Sequence, residues 1–267
     1  MITAVHEEKQ GFSLVELSIV LVILGLLTGG ILTGQSLIRA AEIRAVTTEY
    51  TRYITAIRTF QDKYFQAPGD FRDATRFWGR MNSNADCVTN SAAAGNSATG
   101  VCDGNGQGTF ANAAAAGQSS ETFQFWRHLA MAGLIEGTYT GLAGSTNLAK
   151  VELGTNAPPS KLQPSGWGVR TLGNFAGDAG NFAGNFGNNF DFGAESSSVH
   201  VNLGGGLTAP EAWNIDTKMD DGKPGTGKAV VYGRVSCSTA TTVTDYAAEY
   251  LLTYNAKACG FYFVQIF

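Results

Sequence analysis

The chain has few of the residues on which enzyme sites and metal centres are usually built. It contains three histidines and four cysteines, and 15% of its residues are charged, against about 25% in a typical globular protein. It lacks the Gly-x-Ser-x-Gly and His-Glu-x-x-His motifs, a phosphate-binding loop and any Cys-x-x-Cys pair. We therefore predict that the protein is not an enzyme and that it holds no zinc.

The chain also lacks a strong excess of either charge. Its formal net charge is −4, so no specific nucleic-acid partner is predicted from bulk electrostatics. The low charge is combined with 44% hydrophobic residues, which excludes a typical disordered protein. The 34 glycines instead predict long irregular segments within a folded protein.

One long apolar run stands near the N-terminus. Residues 1–11 are polar, whereas residues 12–32 are apolar apart from Glu16 and a few small or hydroxylated residues. About 20 such residues suffice to cross a bilayer as a helix. No small-residue cleavage site follows a short apolar core, so the run lacks the features of an ordinary secretory signal peptide. A carboxylate within a membrane span is costly and usually functional, which favours a helix that pairs with neighbours over a simple tether.

The segment Gly11-Phe12-Ser13-Leu14-Val15-Glu16-Leu17 resembles the cleavage and methylation motif of type IV prepilins and type II secretion pseudopilins. The shared features are a glycine, an aromatic residue directly after it, a glutamate five residues beyond the glycine, and an apolar span. The resemblance implies that a prepilin peptidase cuts between Gly11 and Phe12, and that Phe12 becomes N-methylated. It also implies that Glu16 faces the amino group of Phe12 in a neighbouring subunit, because both charges are costly when unpaired in a dry bundle.

The same resemblance implies a domain organisation and a location. Residues 1–11 would be the leader, residues 12–65 a long helix with a membrane-spanning first half, and residues 66–267 a globular head with long insertions. The protein would cross the inner membrane once before assembly and then enter a periplasmic or extracellular filament. Lys9 is the one basic residue of the leader, so the positive-inside rule specifies this orientation only weakly.

The implied partners are other pilin subunits, the prepilin peptidase, an assembly platform and an ATPase motor, with the membrane as the environment before assembly. The leading hypothesis is a structural subunit of a type IV pilus or pilin-like filament. The alternatives are a pseudopilin of a type II secretion system, or a minor or tip pilin that acts as an adhesin or ligand-binding module.

The fold class predicted is α+β and pilin-like, with a long N-terminal helix packed on a head that contains an antiparallel sheet. Apolar residues repeat at alternating spacings of three and four along the second half of the helix, as in a heptad stripe: Ile43, Val46, Tyr50, Tyr53, Ile57, Phe60 and Tyr64. The helix ends before Pro68. Residues 228–235, 249–254 and 260–267 are rich in Val, Tyr and Phe and predict strands that pack on the outer half of the helix.

Other parts of the head carry weaker signals. Residues 120–135 predict a helix on which His128 is a packing or surface residue. Thr208 and Glu211 have the spacing of a capping box, with a proline near the helix start. An Asn-Phe pair repeats through residues 173–193, which favours a long mobile loop over a surface of regularly spaced aromatic rings.

Two loops are candidate calcium sites. Asp103, Asn105 and Gln107 place oxygen side chains at the first three alternate positions of a glycine-rich loop, although the glutamate of a full calcium loop is missing. Residues 216–225 resemble the Asp-rich loop of pilin-like heads, which holds calcium in major pseudopilins. The candidate ligands there are Asp216, Asp220 and Asp221, while Lys218 and Lys223 weaken the prediction. In both loops the alternative is a solvated turn.

The four cysteines are Cys87, Cys102, Cys237 and Cys259. Disulfides are permitted if the head lies outside the cytoplasm, and four cysteines allow three pairings. We favour Cys87–Cys102 and Cys237–Cys259, because each closes a local segment. A disulfide-closed C-terminal loop also resembles a common pilin feature.

Overall fold

The structure is a computed structural model, and it describes residues 13–81, 99–110, 118–144, 150–196 and 203–267. The chain divides into two compact units, residues 1–42 and residues 43–267. The helix α1 (Leu14–Tyr64) contains the described part of the first unit and continues into the second. The second unit is the head, which has α+β architecture as predicted.

The outer half of α1 supplies one side of the head core. The predicted heptad stripe is confirmed, since all seven of its residues are buried or packed against the buried core. Tyr53 lies edge-on to Trp126 and Trp167, with ring centroids 5.0 and 5.5 Å apart. Large aromatic rings in such edge-to-face contacts stabilise a core beyond the effect of their buried area.

A buried carboxylate also joins α1 to the head. Glu49 accepts hydrogen bonds from the hydroxyl of Ser160 at 2.7 Å, from the backbone N–H of Lys161 at 2.9 Å and from the indole N–H of Trp167 at 2.8 Å. A buried charge is tolerated when its acceptor sites are filled in this way. Glu49 therefore holds one turn of α1 against the segment that leads into the sheet.

The sheet of the head is antiparallel and consists of β1 (Ser165–Thr171), β4 (Asn188–Glu195), β5 (Leu203–Gly204), β6 (Ala229–Tyr232) and β7 (Gly260–Phe263), while β2 (Asn174–Phe175) and β3 (Gly184–Asn185) form a separate pair. The strand order is β1-β4-β7-β6, and β5 pairs with the end of β4. One face meets α1: Tyr50 contacts Phe190 and Phe263, with ring centroids 6.3 and 5.0 Å apart.

The other face of the sheet carries a buried polar cluster. The guanidinium of Arg170 on β1 pairs with Asp191 on β4 at 2.9 Å and lies over the ring of Tyr262 on β7. The Tyr262 hydroxyl donates to Asn181 at 3.1 Å. Burial raises the pKa of Asp191 even though Arg170 opposes this shift, so the ion pair is retained at a desolvation cost.

The Asn-Phe repeat covers this second face, and its prediction as a mobile loop is wrong. Phe182 and Phe186 are fully buried, and Phe186 lies edge-on to Tyr262 at 5.4 Å. The last Asn-Phe pair, Asn189-Phe190, belongs to the central strand β4. The repeated phenylalanines are therefore core residues: Phe182, Phe186 and Phe190 are buried, and the partly buried Phe175 packs against the core.

The remaining helices are α2 (Ala74–Trp78), α3 (Glu121–Met131), α4 (Ala209–Met219) and α5 (Arg234–Cys237). The predicted capping box is present at the start of α4, where Thr208 and Glu211 bond reciprocally. The helix predicted over residues 120–135 is shorter than expected, because Gly133 adopts a positive φ of 72° and closes its C-terminus.

The predicted strands differ from the observed ones in two respects. Residues 249–254 do not form a strand; Tyr250 makes only an isolated bridge with Ser238, and turns follow it. The strands β1 and β4 were not predicted, although β4 lies inside the sheet and pairs with both β1 and β7. The predictions at residues 228–235 and 260–267 hold for the shorter strands β6 and β7.

The Cys237–Cys259 disulfide is formed, with its Cα atoms 5.6 Å apart. It joins α5 to the residue that precedes β7. Cys102 is buried, whereas Cys87 lies outside the described residues. The Cys87–Cys102 pairing therefore stays a prediction.

Candidate functional site

The start of α1 is capped by its own polar side chains. The backbone N–H of Val15 donates to the Ser13 hydroxyl at 3.2 Å, and the backbone N–H of Ser13 donates to Glu16 Oε2 at 2.9 Å. This arrangement is similar to a capping box. One carboxylate oxygen of Glu16 thus has a partner within its own helix. Gly11 and Phe12 lie outside the described residues, so their cleavage and methylation roles stay predictions.

The helix after this cap presents an apolar surface with no cover. Large aliphatic side chains from Leu14 to Ile38 are between 50% and 86% exposed. Apolar patches of this extent mark contacts with a membrane or with other proteins. Among the described residues, α1 is long and apolar enough to cross a membrane.

Residues 8–32 match the family model described as the prokaryotic N-terminal methylation motif. The chain carries a prepilin-type methylation motif. The matched segment includes Gly11, Phe12 and Glu16, and the apolar surface of α1 begins within it. No curated protein and no solved structure matches the chain. The methylation motif supports a pilin-like or pseudopilin-like protein that is processed as a prepilin, and it is consistent with membrane anchoring through α1 before assembly.

The head holds a group of three carboxylates at the end of α4. Oxygen atoms of Asp216, Asp220 and Asp221 lie within 4.8 Å of one another. Asp216 is buried and accepts from the Tyr250 hydroxyl at 2.7 Å and from the backbone N–H of Gly222 at 3.2 Å. Burial raises the pKa of Asp216 to about 7, and the charges of Asp221 and Asp220 act in the same direction. The group therefore concentrates negative charge.

The two nearby lysines have partners outside the carboxylate group. Lys218 donates to the side chain of Asn214 at 2.5 Å, and the Lys223 ammonium pairs with Glu249. In the described part of the chain, neither forms an ion pair with the three aspartates. Asp220 and Asp221 accept backbone N–H groups of their own loop, including that of Lys223 at 2.9 Å. An all-oxygen donor set with excess negative charge fits a hard cation such as Ca²⁺.

The other candidate calcium loop has a different arrangement. Asp103 accepts from the backbone N–H and the hydroxyl of Thr75 at 2.8 and 2.9 Å. The backbone N–H groups of Gly106 and Gly108 point to the carboxylate of Asp70. This loop surrounds one of the protein's own anions with N–H donors, as in an anion-binding nest. The geometry favours it less as a cation site than the group at the end of α4.

The head also contains a buried histidine on α3. The backbone N–H of Gly69 donates to His128 Nδ1 at 2.9 Å, and Nε2 lies 3.2 Å from the carbonyl of Cys102. These partners place the proton on Nε2 of a neutral ring. Burial, together with the nearby charge of Arg127, lowers the pKa of His128 to about 3. Of the two roles predicted for His128, packing or surface, the structure shows packing, since its ring is fully buried.

Two acidic residues, Glu49 and Asp70, have structural roles that their sequence context does not predict. Glu49 falls off the heptad stripe in the sequence, and Asp70 follows a Pro-Gly turn, so each resembles a solvated acid. The hydrogen-bond donors to Glu49 lie at least 111 residues later in the chain. The donors to Asp70 lie 36 to 38 residues later. No local pattern signals contacts at that separation.

Proposed function

We propose that the protein is a structural subunit of a type IV pilus or pilin-like filament, which a prepilin peptidase processes between Gly11 and Phe12. Phe12 then becomes the N-methylated first residue. The observation that carries the proposal is the methylation motif over residues 8–32, which overlaps the exposed apolar surface of α1 from Leu14 to Ile38. Such a surface is stable in the membrane before assembly, and among identical helices afterwards.

In the assembled filament, Glu16 would meet the amino group of Phe12 from the next subunit. The Ser13 N–H engages only one of its carboxylate oxygens, so the other oxygen is available for a charge-assisted hydrogen bond. Pairing the two charges would penalise incorrect registers of neighbouring helices, because either charge is costly alone in an apolar bundle. The peptidase, assembly platform and ATPase motor would be separate proteins.

The first prediction concerns processing. In a host with a prepilin peptidase, sheared surface filaments should contain a chain that begins at Phe12 and carries one methyl group on its amino terminus. Intact-protein and N-terminal mass spectrometry measure both changes. A mature chain that keeps residues 1–11 would contradict the proposal.

The same experiment distinguishes the role within the family. A major pilin would be the most abundant protein of the filaments, a minor or tip pilin would be a trace component, and a pseudopilin would be retained in the periplasm with a secretion system. The methylation motif supports all three roles equally.

We further propose that Asp216, Asp220 and Asp221 bind calcium. The observation in favour is that three carboxylates converge while both neighbouring lysines are paired elsewhere. Ca²⁺ would add ligand oxygens from backbone carbonyls and water to complete its coordination. The cation would join the end of α4 to the loop that precedes β6.

The second prediction tests this site by melting. Full-length protein in detergent micelles should melt about 5 °C or more higher in saturating Ca²⁺ than in a chelator, because a ligand that binds only the folded state stabilises it. Asp220→Asn combined with Asp221→Asn should abolish this increase. Asp103→Asn is the matched control and should leave it intact. Identical melting with Ca²⁺ and chelator in the parent protein would rule out calcium in either loop.

A further inference from the structure

The end of α1 presents an aromatic side chain in an unusual backbone conformation. Phe65 has a φ of +56°, which is the left-handed region that favours glycine or asparagine. Its N–H bonds to the carbonyl of Gln61 at 2.7 Å, so it occupies the position just after the helix where glycine is most common. A bulky residue at such a position is strained.

The strain brings no packing benefit within the subunit. The side chain of Phe65 is 88% exposed, whereas the ring of the preceding Tyr64 packs against Phe60 and Phe71. Strained and exposed aromatic residues that stability does not explain are candidates for binding.

Phe65 borders a cleft of about 300 Å³, which is at the lower end of the size range of small-ligand sites. Phe267 lines the same cleft and is 38% exposed. Polar groups lie among these rings, from the side chains of Gln61, Gln66, Asp70 and Asn188. The cleft therefore combines apolar ring surfaces with hydrogen-bonding groups.

The hydrogen bonds inside the cleft show which of these polar groups remain available. Gln66 uses its carbonyl oxygen to accept from the backbone N–H of Arg72, which leaves its NH₂ group. The Gln61 side chain has no hydrogen-bond partner among the described residues. Amide groups of this kind supply both donors and acceptors.

The charge of the cleft favours a neutral ligand. Among the described residues that line it, none is a lysine or arginine, and the Arg72 guanidinium beside Gly106 already donates to the carbonyl of Asn105 at 2.6 Å. Among the described lining residues, the one acidic side chain is that of Asp70, which is buried and already accepts three backbone N–H groups. A cation would have to compete with those donors. The ligand that fits is neutral, with an apolar face for a ring and several hydroxyl groups for amides.

We propose that this cleft binds the terminal pyranose ring of a neutral saccharide. The ring of Phe65 would stack on the C–H face of the sugar, and Gln61 and Gln66 would bond its hydroxyl groups. The strained conformation holds the aromatic ring outside the core, where it is available to a ligand. This activity goes beyond assembly of the filament and does not depend on it.

The third prediction tests the cleft with full-length protein in phosphatidylcholine nanodiscs, since glycoside detergents would themselves occupy a sugar site. The probes are the methyl glycosides of glucose, galactose and N-acetylglucosamine, observed by saturation-transfer NMR. At least one should receive saturation. Phe65→Gly should weaken its binding by about tenfold or more, the loss expected when an aromatic contact is removed. Phe65→Trp should retain it, as should Tyr254→Ala at an exposed aromatic residue outside the cleft.

Thermal melting shows whether a loss of binding reflects unfolding. Phe65→Gly should raise the melting temperature by about 2–4 °C, because glycine relieves the positive φ. A variant that is more stable and yet binds less would support a ligand role for the ring. No transfer to any of the three glycosides would overturn the proposal, as would equal binding by Phe65→Gly. Loss of filaments from Phe65→Gly without any sugar signal would assign the ring to a contact between copies of the chain and would also overturn it.

Discussion

Replacing Glu16 with alanine should leave cleavage intact and reduce incorporation into filaments about a hundredfold or more. Removing one member of a desolvated ion pair costs about 3–5 kcal/mol, and this range corresponds to that change in an association constant. The proposed cleavage lies between Gly11 and Phe12, and Phe12 precedes Glu16 by four residues in the sequence, so processing should continue. The measurement is quantitative immunoblotting of sheared filaments against membrane-retained protein, with mass spectrometry of the N-terminus in both fractions.

The structure supplies a second explanation for Glu16 that this experiment must separate from the first. Its carboxylate accepts the Ser13 N–H and so caps α1 within the subunit, and loss of such a cap costs about 0.5–2 kcal/mol. Glu16→Gln is the matched variant, because glutamine also serves at this position of a capping box but carries no charge. If charge pairing drives assembly, Glu16→Gln should fail almost as severely as Glu16→Ala. Normal filaments from Glu16→Gln would leave capping as its sole role and contradict the register argument.

The features predicted correctly depend on residues that lie close together in the sequence. The heptad stripe on α1 repeats within a single helix, and the box formed by Thr208 and Glu211 joins residues three positions apart. Their physical causes are the helical period and the unsatisfied N–H groups of a helix start. Both act through local geometry, so sequence spacing alone reveals them.

The interior strand β4 was not predicted, because the composition around it hides its alternating pattern. β4 alternates Phe190 and Phe192 on the α1 face with Asn189 and Asp191 on the other, which is the period of a strand. Its flanking Gly-Asn-Phe units favoured a low-complexity loop. What stabilises this segment is a sheet face buried beneath Phe182 and a charge partner, Arg170, 21 residues earlier in the chain. Neither can be inferred before the strand order is known.

The candidate calcium ligands show the same limit. The sequence places Lys218 and Lys223 among the three aspartates, where each is expected to cancel a negative charge. In the structure, Lys223 instead pairs with Glu249, 26 residues away. The charge of the site therefore depends on a long-range contact that sequence spacing does not reveal. Because this contact engages Lys223 elsewhere, the structure supports a bound cation more strongly than the sequence alone.

The head should lose stability in mild acid through His128. The pKa of this ring is about 3 in the folded protein, against 6.5 for an ordinary histidine. Between these two pH values the histidine is protonated in the unfolded chain and neutral in the folded chain. The contribution of His128 to the free energy of unfolding is therefore complete above about pH 6.5 and declines as the pH falls toward about 3. The slope in this window is about 1.4 kcal/mol per pH unit. Between pH 7.5 and pH 4.5, His128 should therefore account for a loss of about 2–3 kcal/mol.

The hydrogen bonds around the ring explain why protonation is opposed so strongly. Nδ1 accepts the Gly69 N–H, so an added proton at this atom would face another donor. The neighbouring rings of Phe60 and Trp78 offer little solvation to a charge, and Arg127 adds repulsion. Protonation would therefore break the contact that holds the Gly69 turn on α3.

The matched variant is His128→Phe, which keeps an aromatic ring but cannot titrate. At pH 7.5 it should be about 2–4 kcal/mol less stable than the parent, because the Gly69 N–H and the Cys102 carbonyl lose their buried partner. Its stability should nevertheless fall about 2–3 kcal/mol less between pH 7.5 and pH 4.5, since the histidine contribution is gone while the carboxylates titrate alike in both proteins. Urea unfolding of the full-length proteins in micelles, followed by tryptophan fluorescence at both pH values, measures the two differences. Equal acid losses in the parent and in His128→Phe would show that this ring does not control the acid sensitivity of the head.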